Sequence, residues 1–246
     1  MEVGRLALAM AFFGIAGAAL YLFGDVPEDL SISDVKLHPM GSGLALEAKI
    51  KNEGAPDRLV GLGSDAAMQS NLRGGSTPTF AIPAGSTPSL SMDGVHGMLT
   101  GVQGDVSEGR LVPVSLWFER SGRVAARARV VTNNNMNHAD VVEANDPLPG
   151  VAMTVEANDN GWIIRLETTN FTFSQQSVDE PHQNGVGHGH LYLNGLKLQR
   201  IFEKEVKIGE LPPGAYEFFI SLNSNDHRAY VKDGRFIGAA ASIVVD

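Results

Sequence analysis

Residues 44–51 read Leu44-Ala45-Leu46-Glu47-Ala48-Lys49-Ile50-Lys51. Successive side chains of an extended chain point to opposite faces. Leu44, Leu46, Ala48 and Ile50 therefore line one apolar face, and Ala45, Glu47, Lys49 and Lys51 the other. The same period of two returns at Val114, Leu116 and Phe118, set against Ser115, Trp117 and Glu119. It returns again at Val124, Ala126, Ala128 and Val130, set against Arg127 and Arg129. Turn-forming runs separate these stretches: Asn52-Glu53-Gly54, Pro83-Ala84-Gly85 and Ser121-Gly122. After residue 24 no segment keeps a helical period over three turns. The pattern predicts an all-β protein whose first domain, residues 30–132, is a β-sandwich or small barrel.

Residues 133–149 are polar, turn-rich and without period, which predicts a linker. Alternation resumes in 150–246, where Trp162, Ile164 and Leu166 oppose Ile163, Arg165 and Glu167. Tyr216, Phe218, Ile220 and Leu222 oppose Glu217, Phe219 and Ser221 in the same way. A second β-sandwich is expected there. The 246 residues suffice for two domains of about 100 residues each.

The N-terminal 1–29 differ in kind. Residues 6–23 carry no charge, and as a helix they would extend about 27 Å, close to the thickness of a hydrocarbon core. A cleaved signal peptide is the alternative, with the small residues around Ala16-Gly17-Ala18 as its cleavage site. The apolar run continues past them through Phe23, which favours a single transmembrane anchor. Arg5 precedes the span, while Asp25, Glu28, Asp29 and Asp34 follow it. The expected orientation puts the N-terminus in the cytoplasm and both β-domains in the periplasm of a bacterial inner membrane. Gly14, Gly17 and Ala18 offer a small-residue face for another membrane helix.

Composition removes several function classes. A net charge of −9 without clustered Lys and Arg argues against nucleic acid. The absence of cysteine excludes disulfides, thiolate metal sites and thiol nucleophiles. There is no Gly-rich phosphate loop, no H-E-x-x-H and no G-x-S-x-G elbow, and no carboxylate pair stands in an apolar setting. The expectation is a protein that is not an enzyme.

Several motifs occur in order in the first domain: LALEAKIKNEG, PDRLVG, GSDAA, AIPAGSTPSL, GVHGML and GRLVPVSLWFERSGRV. Over residues 44–131 this order resembles the PCuAC family of periplasmic copper chaperones. The resemblance implies a cupredoxin-like β-fold that carries Cu(I) toward copper enzymes through two His and two Met, the second pair spaced H-x-M. His96-Gly97-Met98 supplies that pair, and imidazole with thioether is the soft donor set that selects Cu(I). The other half of the quartet is missing. After GSDAA the chain reads Met68-Gln69-Ser70-Asn71-Leu72-Arg73, which leaves Met68 as the nearby thioether. The alternative is that His96 and Met98 are remnants that serve packing.

In the second domain Gly187-His188-Gly189-His190-Leu191-Tyr192-Leu193 reads as a strand with Leu191 and Leu193 on one face. His188, His190 and Tyr192 lie on the other. Two imidazoles at i and i+2 can share a metal, and His227 of Asn225-Asp226-His227 is a third ligand if its loop folds back. Such a set suits Cu(II) or Zn(II). The alternative places His188 and His190 in hydrogen bonds to backbone or to Asp226. The domain resembles a β-sandwich module with GHxH and NDH segments found in secreted bacterial proteins, one without an assigned chemistry.

Two functions follow as expectations. The first is a non-catalytic accessory or assembly subunit of a respiratory or photosynthetic membrane complex, with integral membrane subunits and their periplasmic surfaces as partners. The second is a tethered copper-binding protein that delivers copper to a membrane copper enzyme. Copper is the one cofactor expected.

Overall fold

The computed structural model describes residues 29–132 and 141–246. Nine strands build the first domain: β1 (Leu30–Met40), β2 (Gly43–Asn52), β3 (Asp57–Gly63), β4 (Gln69–Arg73), β5 (Phe80–Ile82), β6 (Ser89–Leu90), β7 (His96–Thr100), β8 (Leu111–Phe118) and β9 (Gly122–Val130). Eight of them hydrogen-bond in the order β5-β3-β8-β9-β1-β2-β7-β4, all neighbours antiparallel except β1 and β9, and the short β6 pairs with β2. The alternation of β2 sets its place. Leu44, Leu46, Ala48 and Ile50 are buried against Leu37, Leu59, Ile82, Leu99, Leu116 and Val130. The one buried carboxylate of β3, Asp57, accepts backbone N–H bonds from Arg58, Arg120 and Ser121 at 2.7, 2.9 and 3.0 Å. It thereby pins the β8–β9 turn to the start of β3.

Eleven strands follow: β10 (Val141–Glu143), β11 (Gly150–Asn158), β12 (Gly161–Thr169), β13 (Thr172–Phe173), β14 (Val186–Leu193), β15 (Leu196–Ile201), β16 (Glu205–Ile208), β17 (Gly214–Ser224), β18 (Ala229–Lys232), β19 (Arg235–Phe236) and β20 (Gly238–Val245). One sheet runs β15-β14-β17-β20 and the other β11-β12-β16. Ile164 and Leu166 of the smaller sheet pack on Leu191, Leu193, Phe218 and Ile220 of the larger, so the domain is a sandwich. Asn194-Gly195 closes the β14–β15 hairpin with φ of 48° and 87°, the left-handed pair that a two-residue turn of type I′ requires.

The stretch expected as linker contributes a short strand of its own. β10 pairs in parallel with β18, and Val142 and Ala144 are buried beside Phe171, Leu222 and Tyr230. Three residues are too few to raise a periodic signal above the polar run around them. The expected anchor, residues 6–23, and the Asn-rich run 133–138 lie outside the described residues. Among the described residues no helix is long and apolar enough to cross a membrane.

The two domains are not beads on a string. β6 of the first pairs with β15 of the second at Ser89 and Lys197. The Val95 N–H donates to the Gly195 carbonyl at 3.0 Å, and the Ala84 N–H to the Glu210 carbonyl at 3.0 Å. Leu196 from the second domain is part of the first core, and Ala81 from the first is part of the second.

Candidate functional site

β14 is buried on both faces. Gly189, Leu191 and Leu193 face the sandwich core, where an added Cβ on Gly189 would lie 2.8 Å from Ile220 Cδ1. The opposite face carries His188, His190 and Tyr192. His190 and Tyr192 lie beneath the first-domain loop that joins β6 to β7. That loop approaches so closely that a Cβ on Gly94 would stand 2.6 Å from the Gly195 carbonyl oxygen. His188 is 0% and His190 3% exposed.

Asp93 of that loop organises the site. Its Oδ2 lies 3.0 Å from His190 Nδ1 and receives the Tyr192 hydroxyl at 3.1 Å and Lys197 Nζ at 2.5 Å. Oδ1 receives the Ser91 hydroxyl at 2.6 Å, and the Tyr192 oxygen is itself 3.3 Å from His190 Nδ1. Burial alone would raise the Asp93 carboxyl, but the His190 hydrogen bond and the Lys197 charge outweigh it and hold the group well below the usual carboxylate range. Burial draws the Lys197 ammonium down even against Asp93. Burial also drives the Tyr192 phenol well up.

The protons on the rings follow from the partners. An ionised carboxylate only accepts, so His190 carries its proton on Nδ1 and points the Nε2 lone pair at His188. The two Nε2 atoms are 3.0 Å apart. Burial lowers His190 to about 4, with Asp93 opposing. Burial, then the neighbouring His190 and Arg200, lowers His188 to about 2. Both rings are neutral at physiological pH, the state in which imidazole binds metal. His188 Nδ1 is buried with no hydrogen-bond partner.

His227 stands beside this pair, its ring centroid 5.2 Å from that of His188 and its backbone at φ 70°. Its Nε2 lies 2.5 Å from Asp179 Oδ1, and its Nδ1 is buried without a partner. Asp226 does not serve the pair, since it is held by Ser224 and by Arg228. Among the described residues no three His, Asp or Glu side chains are already gathered at metal-holding distance.

Next to the histidines a crevice of about 550 Å³ opens between the domains, lined by His96, His227, Tyr192, Phe219, Met92 and Phe236. The structure thus brings His96 of the first domain and His227 of the second to one cavity, although they are 131 positions apart. A larger groove of about 710 Å³ runs past Trp117, Arg123 and Arg127 on the β8–β9 face, but neither imidazole nor thioether lines it.

The β7 pair is placed differently. His96 and Met98 share a half-buried face, and His96 Nδ1–H donates to the Gly94 carbonyl at 3.1 Å. Directly across on β4 stand Arg73, opposite His96, and Asn71, opposite Met98. A guanidinium and an amide hold the places where soft donors would complete a quartet. Met68 is 80% exposed, its backbone bonded to the Thr100 carbonyl. These residues do not fit the four-ligand copper site that the resemblance implies. Asp93, Asp179 and Lys197 were missed in the sequence because nothing local marks them; they lie 97, 48 and 7 positions from the histidines they serve.

No curated protein matches the chain. Among solved structures it is similar to the copper-bound PCuAC domain from PmoF2, at 22% identity and a TM-score of 0.39, over 42% of this chain and 93% of that one. It is also similar to the apo PCuAC domain from PmoF1, at 20% identity and a TM-score of 0.40, over 44% of this chain and 98% of that one. Residues 30–130 match the family model for the LpqE-like lipoproteins. The likeness to the LpqE-like family thus lies in the first β-domain, over less than half of the chain, and PCuAC domains are among the chain's structural neighbours.

Proposed function

We propose that this chain is an extracytoplasmic, non-catalytic protein that holds a metal ion, copper by its likeness, at the seam between its two β-domains. One observation carries the reading: a carboxylate of the first domain, Asp93, orients a buried pair of neutral imidazoles of the second. A carboxylate behind a histidine is the arrangement that fixes the tautomer and aims the other ring nitrogen at a metal. The LpqE-like lipoprotein match supports the compartment, and the PCuAC-like motifs of the first domain support copper as the metal. When bound, the metal is the cargo or the structural tie. The chain's own part is to present lone pairs, exclude water and keep the rings neutral.

Metal analysis of the full chain tests this. After chelation, copper loading and desalting, about one equivalent remains bound, and His190→Ala loses it. Less than a tenth of an equivalent on the unaltered chain overturns the proposal. The accessory-subunit reading is then the one to pursue, favoured by the two missing donors on the PCuAC-like side. In that reading a membrane anchor and complex partners would co-purify with the chain from membranes.

A further inference from the structure

Three imidazoles meet at this seam. His190 is Nδ1-protonated because the Asp93 carboxylate and the Tyr192 oxygen stand at that atom. His188 then donates Nε2–H to the His190 lone pair, since nothing else on that axis can. His227 donates Nε2–H to Asp179, and its Nδ1 is buried with no partner. A buried polar atom without a partner is costly and calls for an explanation. It has one if the atom is a ligand.

We propose that His188, His190 and His227 form a three-imidazole site for a cupric ion. His188 and His190 bind through Nε2 and His227 through Nδ1, and Asp93 and Asp179 are the positioning residues behind the two outer rings. The inference rests on the reading of the seam as a metal-holding site and deepens it. The bound ion takes the place of the proton between His188 and His190, that proton moves to His188 Nδ1 so the ring stays neutral, and the ion's two positive charges are met by the carboxylates of Asp93 and Asp179. With metal–nitrogen bonds of about 2.0–2.1 Å, the 3.0 Å separation of the two Nε2 atoms subtends about 95°. That angle is close to the one between cis positions of a tetragonal Cu(II). The donors that meet here are imidazole nitrogens, which separates the site from the His/Met set expected for Cu(I) on β7. Phe202, with its ring 5.8 Å from His188, closes one side with carbon, while His227 faces the crevice.

The test is cupric titration of the metal-free full chain, with electron paramagnetic resonance and pulsed methods that count coordinated imidazoles. One Cu(II) with three imidazoles is expected. His227→Asn, whose side chain tolerates the left-handed backbone, should lose one imidazole and weaken binding at least about tenfold. Asp179 is 79% exposed, so Asp179→Asn spares the fold. It should shift the spectrum and weaken binding about tenfold. An unchanged imidazole count and affinity in His227→Asn overturns the proposal while the seam still holds metal. Loss of the third imidazole in His96→Ala instead overturns it by moving the third ligand to β7. Tighter retention of Cu(I) than of Cu(II) overturns the cupric assignment. No binding at all removes the site and the proposed function together.

Discussion

A buried imidazole records the pH at which its fold was built to stand. In the metal-free protein His188 and His190 are held neutral down to about 2 and about 4, whereas an unfolded chain protonates them near 6.5. Between those values the unfolded state binds more protons than the native state, so stability falls as the pH drops below about 6.5. Asp93 adds a later decline. Its native carboxyl is depressed below the unfolded value of 3.8, so its contribution is present above that value and is lost as the pH falls through the lower native one. Urea unfolding of the metal-free chain at pH 7, 6 and 5 should show a steep loss, each imidazole adding up to about 1.4 kcal/mol per pH unit. His188→Gln should flatten that slope by up to one such increment. An equally steep slope in the variant would mean that His188 is not held neutral by the fold.

At the scale of the element, β14 is the strand on which the site depends, and it has almost no freedom to shift. An alanine at Gly189 would place its Cβ 2.8 Å from Ile220 Cδ1 and 3.2 Å from Ile201 Cβ. Overpacking of this kind costs about 1–3 kcal/mol. The Ile220 Cδ1 methyl can swing aside but Ile201 Cβ, fixed to its backbone, cannot, so the strand gives by a few tenths of an ångström and Gly189→Ala should also weaken metal binding. Denaturation and titration of one variant check both effects, and a loss of stability with unchanged affinity would separate the strand's position from the site. The alternation of β2, β8, β9, β12 and β17 was legible in the sequence because each alternates apolar and polar side chains over much of its length, although Ala45, Ser221 and Asn223 on the polar faces are buried as well. The shared face of His188 and His190 was legible for the same reason, since a spacing of two is all it needs. β10 was not legible, being three residues whose burial comes from Phe171 and Tyr230 rather than from a pattern of its own. The carboxylates were not legible either: Asp93 reaches His190 only because Ser89 pairs with Lys197 and draws the β6–β7 loop over β14.

For the whole molecule, the seam carries a buried charge cluster whose members come from both domains. Removing Asp93 leaves the buried Lys197 ammonium with only the weaker attraction of Glu47, a loss of up to about 3–5 kcal/mol. Asp93→Ala should therefore split the unfolding curve, the seam yielding before the two cores. Adding Lys197→Met should restore much of the loss, because an apolar side chain needs no partner there. A single unshifted transition in Asp93→Ala would show that the domains cohere without the cluster. The exchange of Leu196 and Ala81 between the two cores bears on how an ion would leave. Each module is corked by a residue of the other, so the halves cannot swing apart like jaws without uncorking both. For an ion held at the seam, the way out that remains is sideways, along the aromatic-walled crevice, while the seam stays shut.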